Sequence, residues 1–303
     1  MGLMEGRVAL VTGAARGQGR SHAIRLAREG ADIIAIDIAA DIPKVRYPMG
    51  SPDELAETAR AIEALDRRVV SYQVDARDAA KVREAVAEGV ARLGGRLDTA
   101  VINHGINLAH TIEDADAIEV WDLVVGVNFS SAWYVAAAAV PFMKDSGGAI
   151  VITGSAASLI GVYGNAAYTA AKHGLIGLVK ALALDLSAYS IRVNAVCPGT
   201  VPTMLTLNQM SLDVFFPGNP DATYDDMKPA LEALNLLPQP WVEVDAISDA
   251  VLFLAADSGR SITGIALPVD AGFTTQQPGM NPKLGKQFAE LSQELEVAKA
   301  NAH

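Results

Sequence analysis

The chain has 303 residues, half of them hydrophobic and 19% charged, which supplies a large core and excludes a mostly disordered protein. Its 24 Lys and Arg against 35 Asp and Glu leave a net charge of -11 with no long basic run, which argues against a nucleic-acid partner. The single cysteine, Cys197, forbids an internal disulfide; followed by Pro198, it reads as a packed thiol in a reducing compartment.

Seven short apolar runs rich in β-branched residues alternate with helix-period segments: Val8 to Thr12, Asp32 to Asp37, Val69 to Val74, Thr99 to Asn103, Ala149 to Thr153, Ile191 to Val196 and Ile265 to Val269. Most are apolar throughout, as strands covered on both faces should be. They predict an α/β protein with one doubly wound, seven-stranded parallel sheet and helices on both faces, in a single domain over residues 1–271.

The first run leads into TGAARGQG, with Gly13, Gly17 and Gly19 ahead of an amphipathic helix from Ser21 to Glu29. Glycines at a strand-to-helix junction let the backbone approach a pyrophosphate, which the helix N-terminus favours. A dinucleotide is therefore expected. The second run ends in Asp37, whose carboxylate would bond adenosine ribose hydroxyls and repel the extra phosphate of NADP. Arg16 signals the opposite, yet Ile38 and Ala39 bring no adjacent cation to offset Asp37, so NAD is the expected cofactor.

Residues 38–50 form a connection far longer than the about 2 to 6 residues usual between strand and helix, at the sheet edge where ligands bind; it is either a functional loop or a tolerated insertion. Ser51, Pro52 and Glu54 then spell a capping box that starts the next helix. After the third run, Asp75 fits either the adenine amino group or a helix-start acid. The apolar stretch Ala132 to Met143, broken by Pro141, falls short of the roughly 20 residues of a membrane helix. The N-terminus lacks signal-peptide features, and Gly6 stands where a myristoylation motif needs Ser or Thr. No transmembrane helix and a cytoplasmic location are expected.

Ser155 closes the fifth run, and Tyr168 and Lys172 follow at i, i+4, on one face of a helix. A phenol titrates near 10, and a neighbouring ammonium would draw it toward neutral pH, as a general base needs. Ser155 would hold the substrate oxygen. Alone, Y-x-x-x-K also describes a surface pair. Residues 202–241 carry Met204, Leu205, Phe215, Phe216 and Trp241, too apolar for a plain loop; a lid over an apolar substrate and packing at a core or subunit interface both fit. In the tail, 272–303, Phe288, Leu291, Leu295 and Ala298 share a helical face that would dock on another subunit or fray. His22, His110 and His173 read as ordinary helix or loop residues, and no cluster has metal-ligand spacing.

Taken together, TGAARGQG, Asp37, Asn103-His104-Gly105, Asn128, Ser155, YTAAK and PGTV resemble the short-chain dehydrogenase/reductase family in order and spacing over nearly residues 1–271. The resemblance implies a Rossmann fold, with Asn128, Ser155, Tyr168 and Lys172 as the catalytic set and Asn128 linking Lys172 to bulk water. It implies cofactor contacts from Gly13, Arg16, Gly17, Gln18, Gly19, Asp37, Asp75, Ala76, Asn103, Gly105, Tyr168, Lys172, Pro198, Gly199, Val201 and Thr203. It also implies a homotetramer. His104 departs from the family's small residue, and would either reach the cofactor or substrate or pack beside the loop.

The opening GRVALVTGAARGQGRSHAIRLAREGADIIAID, the insertion after Asp37 and NLLPQPWVEVDAISDAVLFLAAD are similar to the carveol dehydrogenase-like, mycofactocin-coupled branch of that family. That likeness implies an insertion covering a tightly held NAD, an apolar secondary alcohol or ketone of the terpenoid kind, and mycofactocin as electron acceptor. An NADP-dependent carbonyl reductase is the nearest alternative. A non-catalytic nucleotide binder is a second, against which the intact Tyr168 and Lys172 argue.

Overall fold

The computed structural model describes residues 2–216 and 218–275. The proposed tail helix with Phe288, Leu291, Leu295 and Ala298 lies outside the described residues. The strands are β1 (Val8–Thr12), β2 (Asp32–Asp37), β3 (Val69–Gln73), β4 (Thr99–Ile102), β5 (Gly148–Thr153), β6 (Ile191–Pro198) and β7 (Ala266–Val269). All neighbours pair in parallel, in the order β3-β2-β1-β4-β5-β6-β7. The seven expected strands are present; β6 runs two residues further because Cys197 and Pro198 still register against Pro268 and Val269.

The continuous apolar runs follow from burial on two faces. In β1, Val8 and Leu10 enter one core while Ala9 and Val11 enter the other, and β2 divides Ile34 and Ile36 from Ile33 and Ala35 in the same way. The first core is closed by α3 (Ala79–Leu93), α5 (Ser131–Ala139) and α6 (Ala166–Asp185); the second by α1 (Gly17–Arg28), α2 (Pro52–Glu63) and α9 (Val244–Ala255). Each fully buried Leu or Ile contributes roughly 1.5–3 kcal/mol, so an inward charge at Leu10 or Ile34 would break a layer.

The capping box at Ser51 is formed on both sides: Ser51 Oγ accepts from the Glu54 N–H and the Glu54 carboxylate accepts from the Ser51 N–H. At α3 the helix-start alternative for Asp75 is corrected. The acid that caps the helix is Asp78, accepting from the Ala80 and Lys81 N–H groups at 3.2 and 3.1 Å.

The membrane expectation also needs correction in its premise. α4 (Ala117–Val125), a π-helical turn (Gly126–Ser130), α5 and a short 3-10 turn join into one run, Ala117–Phe142, long and apolar enough to cross a membrane. Polar Asn128, Ser130 and Ser131 hide this in the sequence. Half of the run is nevertheless buried within the fold, where Val124, Val135 and Ala139 belong to the cores, as in a core helix.

The order places β1 between β2 and β4, so the connections leave it in opposite directions and a crevice opens at the C-terminal strand ends. Asp37 ends its strand at that edge, and Gly13, Asn103, Gly154 and Gly199 each directly follow one. Residues 38–50 and 202–241, the latter carrying α7 (Gln209–Phe215) and α8 (Tyr224–Ala233), lie over the same edge.

Candidate active site

A cleft of about 880 Å³ runs along this edge and is lined by every residue expected to bind cofactor or act chemically except Gly19. Gly19 sits behind the turn: a Cβ there would overlap the Gly13 carbonyl oxygen, so its absence allows the helix to close on the strand. Gly13 and Gly17 have φ of +67° and +56°, in the left-handed region that favours glycine. Helix α1 begins at Gly17, four residues before the expected Ser21, because Gly17 itself provides the entry turn. Its N-cap is Arg16, whose side chain makes no capping bond, and its first turn holds no acid. The amide donors of that turn therefore face the cleft without the usual side-chain acceptor, and Gln18 brings a buried, unpartnered Oε1 beside them. Such an end suits a pyrophosphate.

Asp37 is buried at the end of β2, accepting from the Ala15 N–H at 2.9 Å and the Ala39 N–H at 2.8 Å. Burial pushes its carboxyl above the ordinary value, against those two bonds. Arg16, the residue that spoke for NADP, donates instead to the Pro48 carbonyl and pairs with Glu54 at 3.8 Å. The guanidinium is thereby tied to the insertion. Asp75 lines the cleft, but Arg77 occupies both its oxygens, with Nη2 at 2.6 Å. Burial would raise the Asp75 carboxyl, and the Arg77 bonds outweigh it, leaving it below the usual range.

The insertion is fastened over the cleft at several points. Ile42 joins Ile106, Leu108, Val120 and Val124 in a small apolar cluster. Tyr47 is buried and accepts from the Asn107 N–H at 3.0 Å, its phenol pushed up to about 12 by burial. Lys44 pairs with Asp116 at 2.9 Å and Glu119 at 2.6 Å on α4. A Cβ on Gly50 would stand 3.2 Å from Asp37 Oδ1, so the loop returns against the carboxylate itself.

At the other end, Tyr168 and Ser155 line the cleft together, and the Lys172 Nζ lies 5.6 Å from the Tyr168 ring centre. Lys172 is 3% exposed and donates to the Thr153 carbonyl at 2.8 Å. Burial draws its ammonium down to about 8. Burial raises the Tyr168 phenol, and the neighbouring Ser155 hydroxyl offsets this in part. The lowering expected from Lys172 alone is thus not what dominates here: desolvation wins. Asn128 occupies the π-turn, where its carboxamide donates to the Ile106 and Val124 carbonyls at 3.0 and 2.9 Å and accepts from the Ile106 N–H at 3.2 Å. A methyl on Gly105 would come within 2.6 Å of Asn128 Oδ1 and 3.7 Å of Lys172 Nζ, so the two groups flank one small residue.

Pro198, Gly199, Val201 and Thr203 form the wall beyond β6, with Thr203 packed beside Gly17. Met204, Leu205, Leu207, Met210, Val214 and Phe215 roof the adjoining space, while α7 and α8 share a cluster of Leu212, Met227 and Leu231. Cys197 is a buried thiol raised by burial, packed under Gly154. Among the described residues no group of His, Cys, Asp and Glu could hold a metal ion.

Sequence reasoning missed Thr12, Thr153 and Ser131, which hold the site from behind. Thr12 accepts from the Asn103 N–H at 3.0 Å and Thr153 donates to Asn103 Oδ1 at 3.2 Å. Hydroxyls ending apolar strands were the available signal for the first two; Ser131 had none.

Residues 13–274 match the family described as enoyl-(acyl carrier protein) reductase. The chain is 43% identical to a (-)-trans-carveol dehydrogenase of Rhodococcus erythropolis over 90% of its own length and 99% of that protein. It is 36% identical to a trans-4-hydroxycyclohexanecarboxylate dehydrogenase of Sinomonas cyclohexanicum, over 88% and 93%. The crystal structure of carveol dehydrogenase from Mycobacterium avium in complex with NAD superposes with a TM-score of 0.89 at 44% identity, covering 91% of this chain and all of that one.

Proposed function

Since this chain belongs to the short-chain dehydrogenase/reductase family, we propose that it moves a hydride between an apolar secondary alcohol or its ketone and NAD, with Tyr168 as general acid/base. The observation that carries this reading is that Ser155, Tyr168 and buried Lys172 line one end of a cleft, with the Lys172 Nζ 5.6 Å from the Tyr168 ring centre, while the other end carries the glycine turn and Asp37. The protein is an NAD-dependent oxidoreductase acting on CH–OH donors.

The cleft fits NAD. Gly13, Gly17, Gln18 and Gly19 build the open helix end for the pyrophosphate, and Asp37 takes the adenosine ribose. Of the other cleft residues, Asp75 and Ala76 would border the adenine, Asn103, Gly105 and Lys172 the nicotinamide ribose, and Pro198, Gly199, Val201 and Thr203 the nicotinamide. Asp37 disfavours the extra phosphate of NADP, and Arg16 is committed to the insertion and Glu54. When bound, NAD accepts the hydride. Ser155 holds the substrate oxygen, the Tyr168 phenolate takes its proton, and the Lys172 ammonium stabilises that phenolate. Asn128, across Gly105 from Lys172, holds water for the return of the proton.

Residues 202–241 act as the substrate lid, and their Met and Leu lining suits an apolar, terpenoid-like ring such as that of carveol. Residues 38–50 act as a clamp on NAD, so that electrons leave to an external acceptor of the mycofactocin type without cofactor exchange. We further propose a homotetramer in the cytoplasm; exposed Ile118 and Trp121 on α4 and Trp133 on α5 offer it apolar surface, and light scattering checks it.

The decisive test is turnover of carveol with NAD, or with bound NAD and a dye as electron acceptor. Tyr168→Phe should lose at least about a thousandfold in kcat while retaining NAD. Normal turnover in that variant sinks the mechanism.

A further inference from the structure

His104 stands where the family resemblance expects a small residue, and its ring is fixed at both nitrogens. Nε2 lies 2.6 Å from Ser131 Oγ and Nδ1 lies 2.7 Å from Thr12 Oγ1. The proton positions follow from the neighbours. Ser131 has one hydroxyl hydrogen, and it goes to the Val127 carbonyl at 2.6 Å, so Ser131 Oγ must accept from a protonated Nε2. Nδ1 is then bare and accepts from Thr12, whose competing acceptor, the Val101 carbonyl, is 3.5 Å away. With both nitrogens engaged, the ring is no base for the substrate.

The bond to Val127 has a structural setting. In the π-turn the Ser131 N–H reaches back to Gly126, past the Val127 carbonyl that an α-helix would pair it with, and the Ser131 hydroxyl bonds that carbonyl instead. His104 in turn holds Ser131. The same turn aims Asn128 at Ile106, two residues beyond His104.

We propose that His104 is a positioning residue: with Ser131 it locks the π-turn to the ends of β1 and β4, and so holds the Asn128 carboxamide beside Lys172. This rests on the reading of Asn128 as part of the proton path. It gives the imidazole a role distinct from both expectations in the sequence, contact with the ligand and idle packing.

The test compares His104→Ala, Ser131→Ala, their double variant and His104→Gln in the full-length protein, by hydrogen exchange of the peptide over 124–132 and by carveol oxidation with NAD. His104→Ala and Ser131→Ala should each speed exchange of that peptide and lower kcat about tenfold, with KM changed less than about twofold. The double variant should be no worse than either single one. His104→Gln, whose amide can donate to Ser131, should recover most of both signals. Unchanged exchange in His104→Ala, or losses that multiply in the double variant, overturns the proposal. If exchange responds as expected but no variant, native included, oxidises an alcohol, the positioning role stands and the proposed function falls.

Discussion

Tyr47→Phe probes the clamp with little loss of packing. The ring is buried and stays; only the hydroxyl that accepts from the Asn107 N–H at 3.0 Å is removed. A buried donor left without its partner costs about 1–3 kcal/mol. If that bond exists only while residues 38–50 lie over the cleft, the whole cost falls on the closed state. NAD release should then quicken by roughly 5- to 150-fold. The assay loads the protein with NAD, adds an excess of isotope-labelled NAD and follows label uptake by mass spectrometry after rapid desalting. Lys44→Ala is the control, because its pairs with Asp116 and Glu119 are solvent-exposed and screened by salt; it should alter release about twofold at most. Release from Tyr47→Phe within twofold of the native rate would refute the argument, and so would free exchange in the native protein.

Gly19→Ala forces a methyl into the Gly13 carbonyl, where backbone cannot yield cheaply; a cost at or above the ~3 kcal/mol upper range for overpacking should lower Tm by about 5–10 °C and abolish NAD binding, read by calorimetry. Asp37→Ala should weaken NAD about tenfold and improve NADP, compared by titration; a native preference for NADP would contradict the role of Asp37. Acid should destabilise the fold through His22 and His104, which burial lowers from 6.5 to about 3 and about 4. Both values lie below that of the unfolded chain, so the unfolded state binds protons first: their contribution is intact above pH 6.5 and is lost as pH falls from there to about 4 for His104 and about 3 for His22. At about 1.4 kcal/mol per pH unit, His104 alone accounts for roughly 3 kcal/mol, and His104→Gln should flatten that part of a urea-unfolding profile.

The strand pattern and the chemical set were legible because each rests on local rules. A run such as IIAID must be covered on both faces wherever it lies, Ser51-Pro52-Glu54 caps a helix by its own side chains, and Tyr168 and Lys172 share a face by helix geometry alone. Glycine at 13 and 17 likewise announces a backbone turn that side-chain-bearing residues rarely make.

What only the tertiary structure decided depends on groups distant in sequence. Whether Arg16 serves a phosphate or the insertion turns on Pro48 and Glu54; whether Asp75 starts a helix turns on Arg77 and Asp78. The direction in which Tyr168 is displaced turns on how completely the fold strips its water, which no spacing records. The π-turn at Gly126–Ser130 has no propensity signature, since one shifted hydrogen bond makes it and His104 and Ser131, from separate elements, sustain it. The sequence by itself determined the sheet, the glycine turn and the placing of Tyr168 and Lys172 on one helix face, because these follow from short-range sterics and burial. Their partners, charges and orientation were decided in three dimensions, where desolvation and hydrogen bonding act between segments that the chain keeps far apart.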